Sequence, residues 1–92
     1  LLFMKHITIT VNGKVQGVYF RAFTQKEAER LNLKGFVRNE RNGDVYIEAE
    51  GEDANLNQLV NWCQSGSPKA LVKDIKVSEG EVKGFSEFVI QR

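Results

Sequence analysis

Phe36-Val37-Arg38-Asn39-Glu40-Arg41-Asn42-Gly43-Asp44-Val45-Tyr46-Ile47-Glu48-Ala49-Glu50-Gly51 is the run that decides the fold of this chain. Asn-Gly is the strongest short turn dipeptide, because both residues accept the positive φ that a tight hairpin demands. After it, Val45, Ile47 and Ala49 alternate with Asp44, Tyr46, Glu48 and Glu50. That period of two puts apolar side chains on one sheet face and polar ones on the other. Phe36 to Asn39 supplies the opposite arm. A hairpin of Phe36 to Asn39 with Asp44 to Gly51 follows.

A helical run flanks the hairpin on each side. Upstream, roughly residues 21 to 33 place Phe20, Phe23, Ala28 and Leu31 near helical spacing, with Lys26, Glu27, Glu29 and Arg30 on the wet side. Asn32-Leu33-Lys34-Gly35 ends that helix, with Gly35 as the expected turn or cap residue. Downstream, Gly51-Glu52-Asp53 opens a second helix whose Leu56, Leu59, Val60 and Cys63 fall at i, i+3, i+4 and i+7. Ser65-Gly66-Ser67-Pro68 stops it. Met4 to Val11 alternates Ile7, Ile9 and Val11 against His6, Thr8 and Thr10, and Asn12-Gly13 ends this first strand. Leu71 to Val77 and Phe85 to Ile90 read as two further strands around a charged turn at Glu79-Gly80. The order is β-α-β-β-α-β with a final strand. This is an α+β, ferredoxin-like split βαβ: an antiparallel sheet with two helices packed on one face and the other face open to solvent.

Length and charge narrow the function. Ninety-two residues suit one domain and one core, and a single Pro amid recurrent apolar residues argues against disorder. Thirteen basic and twelve acidic side chains leave a net charge of +1, too little for a protein that lives on nucleic-acid phosphates or an anionic membrane. No apolar run approaches the roughly 18 residues that span a bilayer. The lone Cys63 excludes an internal disulfide and points to a reducing, cytoplasmic setting. Leu1-Leu2-Phe3 precede Met4, the expected natural start. The expected unit is a single domain over 1–92, acting as a monomer.

The chemistry concentrates at Val15-Gln16-Gly17-Val18-Tyr19-Phe20-Arg21, a loop that leaves a strand and opens a helix. Such a loop aims main-chain N–H groups at one point, where the helix dipole is positive. Arg21 adds a fork of donors suited to phosphate. An anion cradle is one reading; a plain connecting loop with an exposed arginine is the other. It is no Walker loop, since no Lys-Ser/Thr pair follows Gly17. Asn39 reads as a turn residue, yet in a split βαβ topology it can approach Arg21. Lys34-Gly35-Phe36-Val37 faintly echoes an RNA-binding signature, but the aromatic pair is incomplete. His6 has no partner at ligand or triad spacing, Cys63 lies on an apolar helix stripe, and no cluster or carboxylate pair suggests a metal.

Gly13-Lys14-Val15-Gln16-Gly17-Val18-Tyr19-Phe20-Arg21 closely resembles the first signature of the acylphosphatases. Gly35-Phe36-Val37-Arg38-Asn39, with Gly43, Val45 and Gly51 at the family's intervals, resembles their second. Gly66-Ser67-Pro68-Lys69-Ala70-Leu71-Val72, with Ile75 and Val77, is also similar. The tail Gln91-Arg92 lacks an aromatic, which bears on packing rather than activity. The resemblance implies hydrolysis of a small-molecule acyl phosphate to a carboxylate and inorganic phosphate, with no metal and no cofactor. It implies that Arg21 and the N–H groups of Gln16, Gly17, Val18, Tyr19 and Phe20 hold the phosphoryl group, and that Asn39 orients the attacking water. A non-catalytic module of the same fold, binding a phosphometabolite or a protein, is the alternative.

Overall fold

The computed structural model describes residues 3–92, so Leu1 and Leu2 of the expected leading tripeptide lie outside the described residues. The chain runs β1 (Lys5–Lys14), α1 (Phe20–Arg30), β2 (Lys34–Asn39), β3 (Val45–Gly51), α2 (Asp53–Cys63), β4 (Leu71–Gly80) and β5 (Phe88–Gln91). One sheet of order β4-β1-β3-β2-β5 carries both helices against a core centred on Ile9, Val11, Val37, Val45 and Ile47. The expected hairpin forms in register, with Asn39 opposite Val45 and Lys34 opposite Glu50. No helix of the described residues is long and apolar enough to cross a membrane.

The sheet is mixed, not wholly antiparallel. β5 runs parallel to β2, with Gly35 beside Phe88 and Arg38 beside Gln91. β1 also continues past the expected stop at Asn12-Gly13. A register shift there carries it on to Lys14, paired with Leu71 of β4. Gly13 sits at φ 139°, and a Cβ at this position would collide with the Leu71 carbonyl. The glycine therefore makes a bulge rather than a turn, and the bulge redirects the strand into the loop that follows.

The first helix departs from expectation on its inner face. Thr24, not Phe23, is buried between Phe20 and Ala28, while Phe23 is 40% exposed. Residues 20, 24 and 28 recur every fourth position and so share one face. The Thr24 hydroxyl is satisfied by donating to the Phe20 carbonyl at 2.8 Å, which makes its burial tolerable. The helix ends in a Schellman motif on Asn32, not Gly35. Asn32 takes φ 58°, its N–H meets the Glu29 carbonyl at 3.0 Å and the Leu33 N–H meets that of Ala28 at 2.8 Å.

The face opposite the helices is not fully open. The segment 81–87 crosses one end of it and buries His6, Glu48 and Glu50. The Glu50 carboxylate accepts main-chain N–H bonds from Lys83, Gly84 (3.0 Å) and Phe85 (3.1 Å). Their N–H groups are thereby engaged outside the sheet, and β5 begins at Phe88 rather than Phe85.

Candidate active site

The loop from β1 to α1 is fixed at both ends by apolar anchors. Val15 and Phe20 are 1% and 2% exposed, and Val18 packs against the same core. Between them the backbone turns left-handed twice, at Gly17 (φ 74°) and Tyr19 (φ 61°). Glycine adopts such a φ freely, whereas for tyrosine it costs about 1–3 kcal/mol. Burying two large apolar side chains gains about 1.5–3 kcal/mol each, so the anchors outweigh the strain. Tyr19 itself is 78% exposed and its side chain contributes no packing that would favour this conformation.

This bent loop presents unused donors. Helix α1 begins at Phe20 with no side-chain cap and no acidic residue in its first turn. Among the described residues, the main-chain hydrogen bonds of the loops and turns include none donated by Gln16, Gly17, Val18 or Tyr19. Successive N–H groups around left-handed residues form an anion-binding concavity, and an uncapped helix start adds positive potential. The other helix differs, since Asp53 supplies a carboxylate to its first turn.

Gly17, Tyr19, Phe20, Arg21 and Asn39 line one cavity of about 450 Å³, together with Val15, Ala22, Ile90 and Arg92. The structure thus brings Arg21 and Asn39 to one place. The Arg21 guanidinium is steadied by a long bond to the Gln91 carbonyl. Asn39 Oδ1 is buried and accepts no hydrogen bond among the described residues. The side chain of Gln16 turns away from the cavity toward the β2–β3 turn. Ile90 and Arg92 went unnoticed in the sequence, because their place depends on the parallel pairing of β5, which leaves no local signature. A smaller hollow of about 240 Å³ lined by Thr10, Asn12, Asp44, Asp74 and Lys76 carries two carboxylates against one lysine and is ill suited to an anion.

His6, which has no partner by sequence spacing, has two in the fold. His6 Nδ1 lies 2.6 Å from Glu50 Oε2, and its Nε2 lies 3.3 Å from Glu48 Oε1. Glu48 and Glu50 are bridged by His6 and by Lys83, whose main-chain N–H reaches Glu50 and whose ammonium reaches Glu48 at 3.0 Å. Burial pushes the Glu48 carboxyl up, but the Tyr46 hydroxyl and Lys83 pull it below its ordinary value. Tyr46, donating to Glu48 at 2.7 Å, is itself pushed up to about 12, by burial and by that carboxylate. None of these groups lines the large cavity. Cys63 is fully buried, and burial raises its thiol to about 12.

The model of the family described as Acylphosphatase matches residues 7–90. The chain belongs to the acylphosphatase family. It is 51% identical over 76 residues to an acylphosphatase of Anaeromyxobacter sp. (strain Fw109-5), covering 83% of this chain and 82% of that one. The crystal structure of acylphosphatase from Bacillus subtilis superposes with a TM-score of 0.93 at 40% identity, over 98% of this chain and 100% of that one. A segment of full-length HypF, in its phosphate- and nucleotide-bound form, superposes with a TM-score of 0.90 at 32% identity, spanning all of this chain and 12% of that one. This acylphosphatase is therefore a hydrolase of acyl phosphates, and the non-catalytic alternative is not favoured.

Proposed function

We propose that the Arg21–Asn39 cavity is the catalytic centre and that each residue has a separate task. In this reading the N–H groups of Gln16 to Phe20 and the Arg21 guanidinium hold the phosphoryl oxygens, and Asn39 orients the water that attacks phosphorus. The carrying observation is that both side chains line the cavity bounded by the left-handed Gly17–Tyr19 loop. Asn39 lies in the cavity lining beside Arg21, and a carboxamide both accepts and donates hydrogen bonds, which suits it to orienting a water there.

The chemistry asks little more of the protein. Water oxygen bonds to phosphorus as the bond from phosphorus to the acyl oxygen breaks. The carboxylate leaves with the electron pair. Its conjugate acid has a pKa of about 4, so no general acid is needed. The water's proton passes to a phosphoryl oxygen, which removes the need for a strong base. What remains is positioning and charge stabilisation. Arg21 and the amides supply the second, without metal or cofactor.

The unit is read as one domain over residues 1–92, acting as a monomer in the cytoplasm. The buried free thiol suits a reducing compartment. Steady-state hydrolysis of benzoyl phosphate by wild type and Arg21→Ala, with chelator present, tests the assignment. Wild type turns over, and the variant loses about 10²-fold or more with its phosphate affinity. A variant near wild-type kcat/KM refutes it.

A further inference from the structure

We infer that the Gln16 side chain is a positioning residue: it sets the separation between the anion cradle and Asn39 by pinning the cradle loop to the β2–β3 turn. The inference rests on the proposed reading that Asn39 orients water. Gln16 Nε2 donates to the Glu40 carbonyl at 2.8 Å and to the Asp44 carbonyl at 2.9 Å. Both partners are acceptors only, so the carboxamide must present its NH₂ group, and both of its hydrogens are used.

The same two carbonyls already hold the turn closed. Asp44 O accepts from the Glu40 N–H at 2.8 Å, and Glu40 O accepts from the Gly43 N–H at 3.2 Å. Gln16 therefore fills their second lone pairs and joins the loop to a turn that is locked on itself. These carbonyls lie one residue beyond the Asn39–Val45 pair, both on its turn side. At the other end, Gln16 immediately precedes Gly17 in the cavity lining.

Asn39 has need of such a device. Its own Oδ1 is bonded to no protein group among the described residues, so that oxygen does not hold the carboxamide in place. Its position is inherited from the end of β2, beyond which Arg41 and Asn42 are exposed. Asn12 Nδ2 also reaches this turn, at Asp44 Oδ1 across 2.9 Å, but that bond ties it to β1 and not to the cradle loop; misplacement of about 1 Å can cost 10²-fold in rate. The competing role for Gln16 is plain stabilisation, with two bonds contributing to folding and nothing to turnover.

A double-mutant cycle on benzoyl phosphate hydrolysis separates the two. Gln16→Met keeps the length of the side chain and removes both donors. We expect kcat to fall about tenfold or more, with the inhibition constant of inorganic phosphate moving less than about threefold. In the Asn39→Ala background, adding Gln16→Met is expected to lower kcat by less than about twofold, since the group being positioned is gone. Gln16→Asn, which keeps the amide but falls one methylene short, takes its place should Gln16→Met not fold by circular dichroism. The inference is overturned by an unchanged kcat with a lowered melting temperature, by phosphate affinity falling as far as kcat, or by losses that multiply in the double variant. Multiplying losses remove Gln16 alone and leave Asn39 its role. Wild-type kcat in Asn39→Ala removes the reading of Asn39 and this inference with it.

Discussion

Arg21 Nη1 donates to the main-chain oxygen of Gln91 across 3.4 Å, tying the first turn of α1 to the last residue of β5. The bond is long and exposed, so it contributes little to stability. Its value is directional: one arm of a planar fork is occupied and the remaining donors are left for a ligand. Lysine keeps the charge but cannot hold both partners at a fixed angle. Arg21→Lys is therefore expected to lose about 10- to 100-fold in kcat/KM, short of the loss in Arg21→Ala. Full activity in the lysine variant would mean that charge alone suffices.

Asn39 permits a cleaner separation of binding from chemistry. Asn39→Ala is expected to reduce kcat about 10²-fold while the inhibition constant of phosphate stays within about twofold. Asn39→Asp is nearly isosteric but places a carboxylate in the cavity that Arg21 also lines. Like charges repel across a short, partly desolvated gap, so phosphate should bind this variant at least about tenfold more weakly. Phosphate titration of both variants decides the matter. Equal loss of affinity in the two would show that Asn39 binds the anion instead of orienting water.

Local signals and long-range pairings differed in how far they could be read. Asn42-Gly43 encodes its hairpin because the turn conformation is a property of those two residues. The stripe Leu56, Leu59, Val60, Cys63 marks α2 for a similar reason, its period belonging to the helix alone. Gly13 misled because a glycine with positive φ serves a bulge as well as a turn, and only the partner strand distinguishes them. Phe23 misled because a buried threonine bonded to its own helix competes for the inner face. The parallel pairing of β5, and with it Ile90 and Arg92 in the cavity, has no local counterpart. Nor does the meeting of His6 with Glu48 and Glu50, which joins residues more than forty positions apart. The candidate site was legible chiefly through two motifs that match the family. Their burial, their bond partners and the role of the Gln16 side chain became visible only in three dimensions.

Cys63 should be chemically silent while the protein is folded. Burial raises its thiol to about 12, and the charge of Glu27 adds to the shift. The thiolate, which is the nucleophile, is then scarce at neutral pH, and no exposed surface admits a reagent. A disulfide reagent is expected to react at the rate of unfolding, with the reaction accelerating in urea in step with loss of circular dichroism. Cys63→Ala should leave kcat unchanged and lower stability by about 1–2 kcal/mol through the small cavity it opens. Rapid labelling of native enzyme would place the thiol at the surface.

Glu50 should make the fold acid-sensitive in a defined window. Burial alone would raise its carboxyl, but the Lys83 N–H, the His6 ring and the N–H groups of Phe85 and Gly84 outweigh it and hold the group below its ordinary 4.5. A carboxyl lowered in the folded state contributes its full stability above the unfolded value and loses it as pH falls through the folded value. The clasp on segment 81–87 is thus intact at neutral pH and fails below about pH 4.5, down to the depressed value. Glu50→Gln replaces one acceptor oxygen by an amide that faces N–H donors. It should lower stability by about 2–4 kcal/mol near pH 7. Because the variant has no proton to gain at this site, its deficit should shrink as pH falls from about 5 to 3. Urea unfolding of both proteins across that range measures the gap. Glu48, also lowered, and Lys83 remain in both, so they largely cancel in the difference. A gap that stays constant or widens toward acid would show that the Glu50 charge is not what fastens the segment.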